Sequence, residues 1–508
     1  MSISGAFWAL LAFSALVSAA PYAERTTCGS KLVSSSKHKG GGEIGQWAGY
    51  RSVGYYTNWA LYDPQDFFVT NITASEYTHL LYSFANVDGV NGTVFLTDEY
   101  ADLQYEYPGD DEDESCNNLY GNLKQLYLMK EQNRNLKVML SIGGAGYSTN
   151  FANITDSDWR QTFAKTAVAL VHNLGFDGLD IDFVDLMRIL REHLNKAAEE
   201  DCADHYLLSW AASCGESGWG GLDVPGMDQY LDFWNLMAYD FSGEWTDKAL
   251  PASNLYPDGN PANDVGASGS QCADHYRISG VNPRKLNLGM PLYGTAFNGT
   301  QGMYTNWTDL GDGDWDQPGN YDDKHLPLPG ETVVYNKTLG ASWSVNNATG
   351  HIVSFDTPTV ALQKAEYVLD NQLGGMMYWS VDQDYSRPQT RGRLNAPMIP
   401  AHWEHTHGAA RKKLYGHHKG APWPLPAELS PIRRDVHSRE KRSDAVPDAA
   451  ALVVEKRWDD GSIDTNVGES LVDVVLTAFT NFGGPLDSSQ NNLHYPHSEY
   501  DNLRNGFH

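Results

Sequence analysis

The stretch DGLDID at positions 177–182 decides the fold class of this chain, because it is a short apolar run interrupted by acidic residues. Short apolar runs bounded by turn residues are typical of strands that are buried on both faces of a sheet. Seven further runs of this kind flank the stretch, with helical periodicity between them. The eight predicted strands are 52–56, 79–84, 137–142, 178–182, 206–211, 233–239, 285–292 and 374–379. Strands alternating with helices predict an α/β protein of the (β/α)8 TIM barrel type.

The predicted barrel occupies residues 47–385 and 467–508. Positions 295–357, between the seventh and eighth strands, are predicted to form an inserted α+β subdomain, since short strand-like runs and turns alternate there. Residues 20–46 are polar and predict a flexible lead-in. Residues 386–466 are predicted to be a disordered basic insertion, because most of this segment is rich in Lys, Arg and Pro and poor in apolar positions.

Composition and charge limit the partners and the compartment. The 508 residues include 36 Lys and Arg against 64 Asp and Glu, a net charge of −28, so a nucleic-acid partner is not expected. Residues 1–19 are apolar and end in a small-residue pattern, which predicts a secretory signal peptide, an extracellular location and no membrane span. Seven N-x-Ser/Thr sequons fit a glycoprotein. Five cysteines allow at most two disulfides and leave one thiol over.

Candidate catalytic groups are expected at the C-terminal ends of the strands, where the active sites of such barrels lie. In the fourth strand Asp180 and Asp182 are two residues apart, so both point into the barrel and are close enough to share a proton. Burying two carboxylates adds nothing to packing, which favours a functional role. Tyr239 and Asp240 end the sixth strand, and Trp379 ends the eighth. Carboxylates beside aromatic faces suit a polysaccharide ligand.

These motifs together resemble those of the fungal secreted chitinases of glycoside hydrolase family 18. The resemblance rests on SVGYYTNW at 52–59, the S-x-G-G motif from Ser141, the D-x-x-D-x-D motif from Asp177 and the M-x-Y-D motif from Met237. It implies hydrolysis of the β-1,4 linkages of chitin and chitooligosaccharides with retention, in which the substrate's own N-acetyl oxygen is the nucleophile. A monomer without a cofactor or metal is expected.

The resemblance also implies roles by position. Asp182 would orient the acetamido group and stabilise the oxazolinium intermediate, Asp180 would share its proton, and Tyr239 would hydrogen-bond to the acetamido group. With Asp240, which lines the site, these residues form the expected catalytic group. The expected substrate-binding residues are Tyr55, Phe84, Ser141, Gly143, Gly144, Met237, Tyr293 and Trp379.

One departure from the family pattern bears directly on catalysis. The family has a general-acid Glu two residues after the last Asp of its motif, and this chain has Val184 there. Apolar positions from Phe183 onward predict that a helix follows the strand at once, without the usual loop of about 2–6 residues. Two explanations stay open: a non-catalytic chitin-binding protein, or a mis-joined coding sequence that lost this segment and kept 386–466. A third hypothesis is a protein on the same barrel that binds no carbohydrate.

Overall fold

The computed structural model describes residues 48–62, 64–110, 117–181, 186–261, 263–264, 266–385 and 462–507 of the chain. The predicted signal peptide and the whole of the predicted lead-in lie outside these residues. The described strands are β1 (Arg51–Thr57), β2 (His79–Val87), β3 (Val94–Leu96), β4 (Lys137–Ile142), β5 (Gly178–Ile181), β6 (Leu207–Ser213), β7 (Phe233–Met237), β8 (Leu286–Pro291), β9 (Tyr293–Phe297), β10 (Asn320–Asp322), β11 (Thr332–Asn336), β12 (Ala341–Asn346), β13 (His351–Ser354), β14 (Gly375–Trp379) and β15 (Ser462–Ile463).

Eight of these strands form a closed parallel barrel. Strand β1 pairs in parallel with both β14 and β2, which closes a ring in the order β1, β14, β8, β7, β6, β5, β4 and β2. Each predicted strand overlaps one barrel strand, so the predicted fold is confirmed. The described helices are α1 (Gly121–Gln132), α2 (Ser157–Leu174), α3 (Met187–Asp201), α4 (Glu216–Trp219), α5 (Val224–Asp228), α6 (Gly269–Ile278), α7 (Pro358–Asp370), α8 (Leu471–Ala478) and α9 (Asp501–Asn505).

Helix α2 illustrates how the sequence sets the ends of an element. The Asp156 carboxylate accepts hydrogen bonds from the backbone N–H groups of Asp158 and Trp159, which have no partner inside the helix. Gly175 ends the helix in the left-handed conformation, with φ of 81°. Between these ends Trp159 and Phe163 are buried on one face, as their helical spacing predicts.

Between β8 and β14 the chain forms five strands of a second, antiparallel sheet, and β15, after β14, adds a sixth at its edge, in the order β10, β9, β13, β12, β11 and β15. The predicted insertion is thereby confirmed in its place. Within its described residues, the helical part consists of 3₁₀ turns at Asp314–Asp316 and Asp323–His325. Only Leu292 separates the end of β8 from the start of β9 at Tyr293, so the sheet begins at the C-terminal rim of the barrel.

Residues 462–466, the last part of the predicted basic insertion, are described, and Ser462–Ile463 form strand β15 of this second sheet. Strand β15 pairs with β11, and the Asp464 carboxylate accepts hydrogen bonds from the hydroxyls of Thr357 at 2.7 Å and Thr359 at 3.1 Å. A strand of two residues has no periodic pattern, so sequence analysis had no signal for it. The rest of the predicted insertion, 386–461, lies outside the described residues.

The last barrel helix, α8, is held by the carboxylate of Asp384. The Ser470 hydroxyl donates to this carboxylate at 2.7 Å, and the backbone N–H groups of Leu471 and Val472 donate at 3.0 and 3.3 Å. Beyond α8, the side-chain amide of Asn491 donates to three backbone carbonyls at the corner between α1 and β4. The C-terminal segment is therefore bound to the barrel at several separate points.

We predict that this attachment weakens as the pH rises. Burial raises the pKa of Asp384 from 3.8 to about 6, although the Ser470 hydroxyl and backbone N–H groups lower it. Because the folded state binds this proton more tightly than the unfolded state, the stabilisation is complete below about pH 4 and is lost as the pH rises through about 6. Asp384→Asn should remove this contribution, which is at most about 3 kcal/mol.

Urea unfolding of the full chain at about pH 4.5 and about pH 6.5 measures the effect. The variant should be less stable at both pH values, because it loses one capping oxygen, but its stability should change less between them. Other buried carboxylates with a raised pKa, such as Asp102, are present in both proteins and cancel in the comparison. Equal pH dependence in the two proteins would contradict the prediction.

Candidate active site

The centre of the candidate site is the carboxylate of Asp180, which is fully buried in the barrel. Its Oδ2 atom accepts hydrogen bonds from the hydroxyls of Tyr55 at 2.7 Å and Ser141 at 2.9 Å. Its Oδ1 atom accepts from the Ser209 hydroxyl at 2.6 Å and the Asn235 amide at 3.3 Å. Ser141, Asp180 and Ser209 occupy aligned positions on β4, β5 and β6, so the register of the barrel brings them together.

Burial and hydrogen bonding act on the pKa of Asp180 in opposite directions. Burial is the larger influence and raises the pKa, while the four donors, Ser209 first, lower it. Four donors on two oxygens match the ionised form of a carboxylate, which only accepts hydrogen bonds. The predicted partner Asp182 lies outside the described residues, so the pairing of the two carboxylates stays a prediction.

The first aspartate of the motif, Asp177, has a structural role instead. Its Oδ2 atom accepts from the backbone N–H of Val138 at 2.7 Å and lies 2.9 Å from the Lys130 ammonium. Its Oδ1 atom accepts from the backbone N–H of Asn492 in the C-terminal segment. Asp177 precedes β5, at the end of the barrel opposite the candidate site. It therefore joins strand β4, helix α1 and the C-terminal segment.

The segment between β5 and α3 is described only in part. Strand β5 is described as far as Ile181, and helix α3 begins at Met187, four residues after Phe183, where the helix is predicted to begin. Residues 182–185 lie outside the described residues, so the absence of a loop after the strand stays a prediction. Leu186, immediately before the helix, is fully buried, so the apolar periodicity that starts at Phe183 extends beyond the helix itself. The position of the expected acid, Val184, lies outside the described residues.

Aromatic rings line the C-terminal ends of β1, β2 and β14. The Trp379 ring stacks on Phe84, with centroids 5.5 Å apart and planes 19° apart, and lies 5.2 Å from the ring of Tyr55. Trp59, which is 39% exposed, extends this group with its centroid 6.2 Å from Phe84. Gly144 lies directly beneath the group, because a Cβ atom there would be 2.7 Å from the Phe84 ring.

A third part of the site lies at the end of β7 and the start of β9. The Tyr293 hydroxyl donates to the Asp240 carboxylate at 2.5 Å. Exclusion of water from the Asp240 carboxylate raises its pKa, and the hydrogen bond from the Tyr293 hydroxyl lowers it. Other parts of the Asp240 residue are exposed to solvent. Tyr239 lies 6.3 Å from Tyr293, ring to ring, and its hydroxyl points to the sulfur of Met377 at 3.8 Å.

The structure thus brings the described candidates into three groups at one end of the barrel. Tyr55 and Ser141 join Asp180, while Phe84, Gly144 and Trp379 form the aromatic group. Tyr239, Asp240 and Tyr293 form the third group, with Met237 partly buried at the end of β7 and Gly143 at the end of β4.

Sequence analysis did not select Ser209, Asn235 or Trp59. Ser209 and Asn235 are single polar residues inside apolar strands, and their polarity at an inward position was the available signal. Only barrel closure reveals that both reach the carboxylate of Asp180. Trp59 ends the SVGYYTNW motif, and its ring contact with Phe84 depends on the path of the loop after β1.

One group of described side chains has the composition of a metal site, namely Asp314, Asp322 and His325. Here the ammonium of Lys324 lies 2.9 Å from the Asp322 carboxylate, and the Trp315 indole N–H donates to the same oxygen at 2.9 Å. Both donors lie on the same carboxylate oxygen of Asp322. Among the described helices, none is long and apolar enough to cross a membrane.

Comparison with known proteins identifies relatives of one kind. Residues 51–384 match the family described as glycosyl hydrolases family 18. Endochitinase 1 of Metarhizium robertsii is 37% identical over 356 residues, which cover 67% of this chain and 83% of that protein. Chitinase 1 of Aphanocladium album is 38% identical over 346 residues, with 65% and 81% covered. In structure, the catalytic domain of chitinase B from Arthrobacter is similar with a TM-score of 0.61 at 26% identity, covering 67% of this chain and 93% of that one.

We predict that Gly144→Ala disrupts the aromatic group. The new methyl group would collide with the Phe84 ring, and φ of 87° at this position disfavours any side chain. Chemical unfolding should report a loss of stability of about 1–3 kcal/mol, and near-ultraviolet circular dichroism should report a change around Trp379. The matched control is Gly146→Ala, because a Cβ atom there meets nothing within 4 Å. Similar losses in the two variants would contradict the role of Gly144.

Proposed function

The chain belongs to the glycosyl hydrolases of family 18, and we propose that it is a chitinase-type protein that binds chitin and chitooligosaccharides. The observation that carries the proposal is the buried Asp180 carboxylate, held by four donors. One of them, Tyr55, lies against the stacked rings of Trp379 and Phe84. A fixed carboxylate beside stacked rings suits an N-acetylated sugar, and relatives at 37–38% identity are named as chitinases.

The proposed reaction is assisted by the substrate. The N-acetyl carbonyl oxygen of the sugar attacks its own anomeric carbon as the glycosidic C–O bond breaks, and the departing oxygen takes a proton. Water then attacks the same carbon and reopens the oxazolinium ring, so that the configuration is retained. We propose that Asp182 orients the acetamido group, that Asp180 fixes Asp182, and that Tyr239 hydrogen-bonds to the acetamido group.

The group that donates a proton to the departing oxygen is missing from the family position in this chain. The family position for its donor is Val184, whose side chain has no proton to give. Asp180 is a poor substitute, since both of its oxygens accept hydrogen bonds inside the barrel. Loss of a general acid typically costs about 10²–10⁴-fold in rate. We therefore propose that this chain binds chitin well and hydrolyses it slowly.

Restoring the acid tests this proposal. A version with the family's Trp-Glu-Tyr-Pro loop inserted after Asp182 should release fluorophore from a chitotriose conjugate at least about 100-fold faster than the chain as it stands. The matched control has the same loop with Gln in place of its Glu, and it should stay slow. Equal rates in the original and restored chains would mean that another group supplies the proton. No activity in either would favour binding alone.

A non-catalytic chitin-binding protein is the second candidate, favoured by Val184 together with the intact aromatic group. In both candidates we predict that Trp379→Ala lowers the affinity for chitotetraose at least about tenfold, because it removes the face that the sugar stacks on. Isothermal titration of the folded variant measures this loss. The control is Trp245→Ala, which changes a Trp that is 64% exposed outside the three described groups. Unchanged affinity in Trp379→Ala, or no affinity in the original chain, would contradict chitin binding at this site.

Two origins of the missing acid remain to be distinguished. In one, the protein has evolved as a lectin. In the other, the coding sequence is mis-joined between codons 182 and 183 and retains non-coding sequence in 386–466. The case for a mis-joined sequence rests on the family pattern around Val184 and on the insertion 386–466, which separates the eighth barrel strand from its helix. Sequencing the transcript across this junction separates the two.

We further propose that the protein is a secreted glycoprotein. The support is the apolar segment 1–19 and the exposure of most sequon asparagines. Five are exposed on the surface: Asn71, Asn91, Asn153, Asn306 and Asn347. Asn336 is buried, and its side-chain oxygen accepts from the backbone N–H of Leu339, so this sequon serves the turn after β11 instead.

A further inference from the structure

Two buried amide side chains connect Asp180 to a cation at the other end of the barrel. Asn235 on β7 and Asn287 on β8 are fully buried and face each other in register. The Asn235 amide donates to Asp180 at 3.3 Å, and the Asn287 amide donates to the Asn235 side-chain oxygen at 3.0 Å. The guanidinium of Arg51 then donates to the Asn287 oxygen at 3.4 Å and to the Arg284 backbone carbonyl at 2.9 Å.

The direction of this chain of hydrogen bonds is fixed at one end. A guanidinium can only donate, so the Asn287 side chain must turn its oxygen to Arg51 and its nitrogen to Asn235. Asn235 must then accept from Asn287 and turn its own nitrogen to Asp180. Every donor in the series therefore points from Arg51 towards the carboxylate. Reversing either amide would bring two oxygens or two nitrogens together.

We propose that Arg51, Asn287 and Asn235 form a relay of positioning residues that keeps the Asp180 carboxylate ionised and fixed in orientation. The amide dipoles add along the series, and a series of aligned hydrogen bonds is stronger than its separate parts. The relay deepens the proposed function, because an ionised Asp180 leaves the shared proton to Asp182, the residue proposed to act on the acetamido group.

The other polar and charged groups around these residues support this assignment. The described side chains that hydrogen-bond to Asp180 are the neutral Tyr55, Ser141, Ser209 and Asn235, and the two amides join Arg51 to this carboxylate. Burial lowers the pKa of Arg51, while Asp487 and Asp232 raise it and Arg284 lowers it.

His79 lies against the Phe233 ring, which in turn faces Arg51. Its pKa is held well below 6.5 by burial and by Lys137 and Arg51, so it adds no charge near neutral pH. Asp182, two positions after Asp180 in the sequence, lies outside the described residues.

The isosteric change Asn287→Asp tests the relay. The new carboxylate accepts from Arg51 but cannot donate to Asn235, so the Asn235 amide must turn and present its oxygen to Asp180. We expect the midpoint for protonation of Asp180 to rise by at least about one pH unit, a tenfold change in proton affinity. The full chain, labelled with ¹³C at the aspartate carboxyl carbon, reports this midpoint by NMR, and the Asp180→Asn variant assigns the signal.

Two further variants keep the test decisive. Arg51→Met removes the cation but keeps the packing on Phe233, and it should produce a smaller rise in the same direction. Asn336→Asp makes the same chemical change at a buried asparagine in the second sheet, and it should leave the midpoint unchanged. If the Asn287 variant does not fold, as judged by near-ultraviolet circular dichroism, Arg51→Met decides.

An unchanged midpoint in the folded relay variants, or an equal rise in Asn336→Asp, would overturn the relay. Chitotetraose affinity, measured on the same samples, separates this result from the proposed function. A shifted midpoint in a protein that binds no sugar would leave the relay standing and remove the chitin proposal. Sugar binding with an unchanged midpoint would do the reverse.

Discussion

A carboxylate in the middle of a barrel must be hydrogen-bonded on both oxygens, and Asp180 imposes this requirement on the whole structure. Removing such a group from water is costly unless donors replace the lost hydration. Strands β1, β4, β6 and β7 each contribute one donor. A shift of one residue in any of them would turn that donor away from the barrel interior. The register of the barrel strands therefore also determines which donors reach the Asp180 carboxylate.

The surroundings of Asp180 extend this constraint to the rim. Tyr55 hydrogen-bonds to the carboxylate and also packs against Trp379, which stacks on Phe84. Phe84 in turn leaves no room for a side chain at position 144. The charged centre and the apolar face of the site thus hold each other in place. Tyr293, the first residue of strand β9 in the second sheet, donates a hydrogen bond to Asp240 at the rim of the barrel. This contact joins the insertion to the rim.

Sequence patterns predict the parts of this structure that depend on local chemistry. The barrel strands are apolar runs, and Asp180 is conspicuous because a charge interrupts one of them. Ser209 and Asn235 carry no such contrast, and their role depends on which strands become neighbours when the sheet closes. The start of α3 is mispredicted for a related reason. Leu186 has the spacing of a helical core residue, but it is buried before the helix begins.

The contact between Asp384 and Ser470 joins residues 86 positions apart in sequence. This contact holds the two sides of the junction together whatever the number of residues inserted between them. For a flexible loop the entropy of closure grows with the logarithm of length, about 0.6 kcal/mol for each doubling. The length of sequence inserted there therefore has little influence on whether the barrel forms. The step from β5 to α3 is the opposite case, because Ile181 and Leu186 are both fully buried and a residue gained or lost between them would change how the strand meets its helix. Insertions and deletions between Asp384 and Ser470 are therefore tolerated, whereas those between β5 and α3 alter the active site itself.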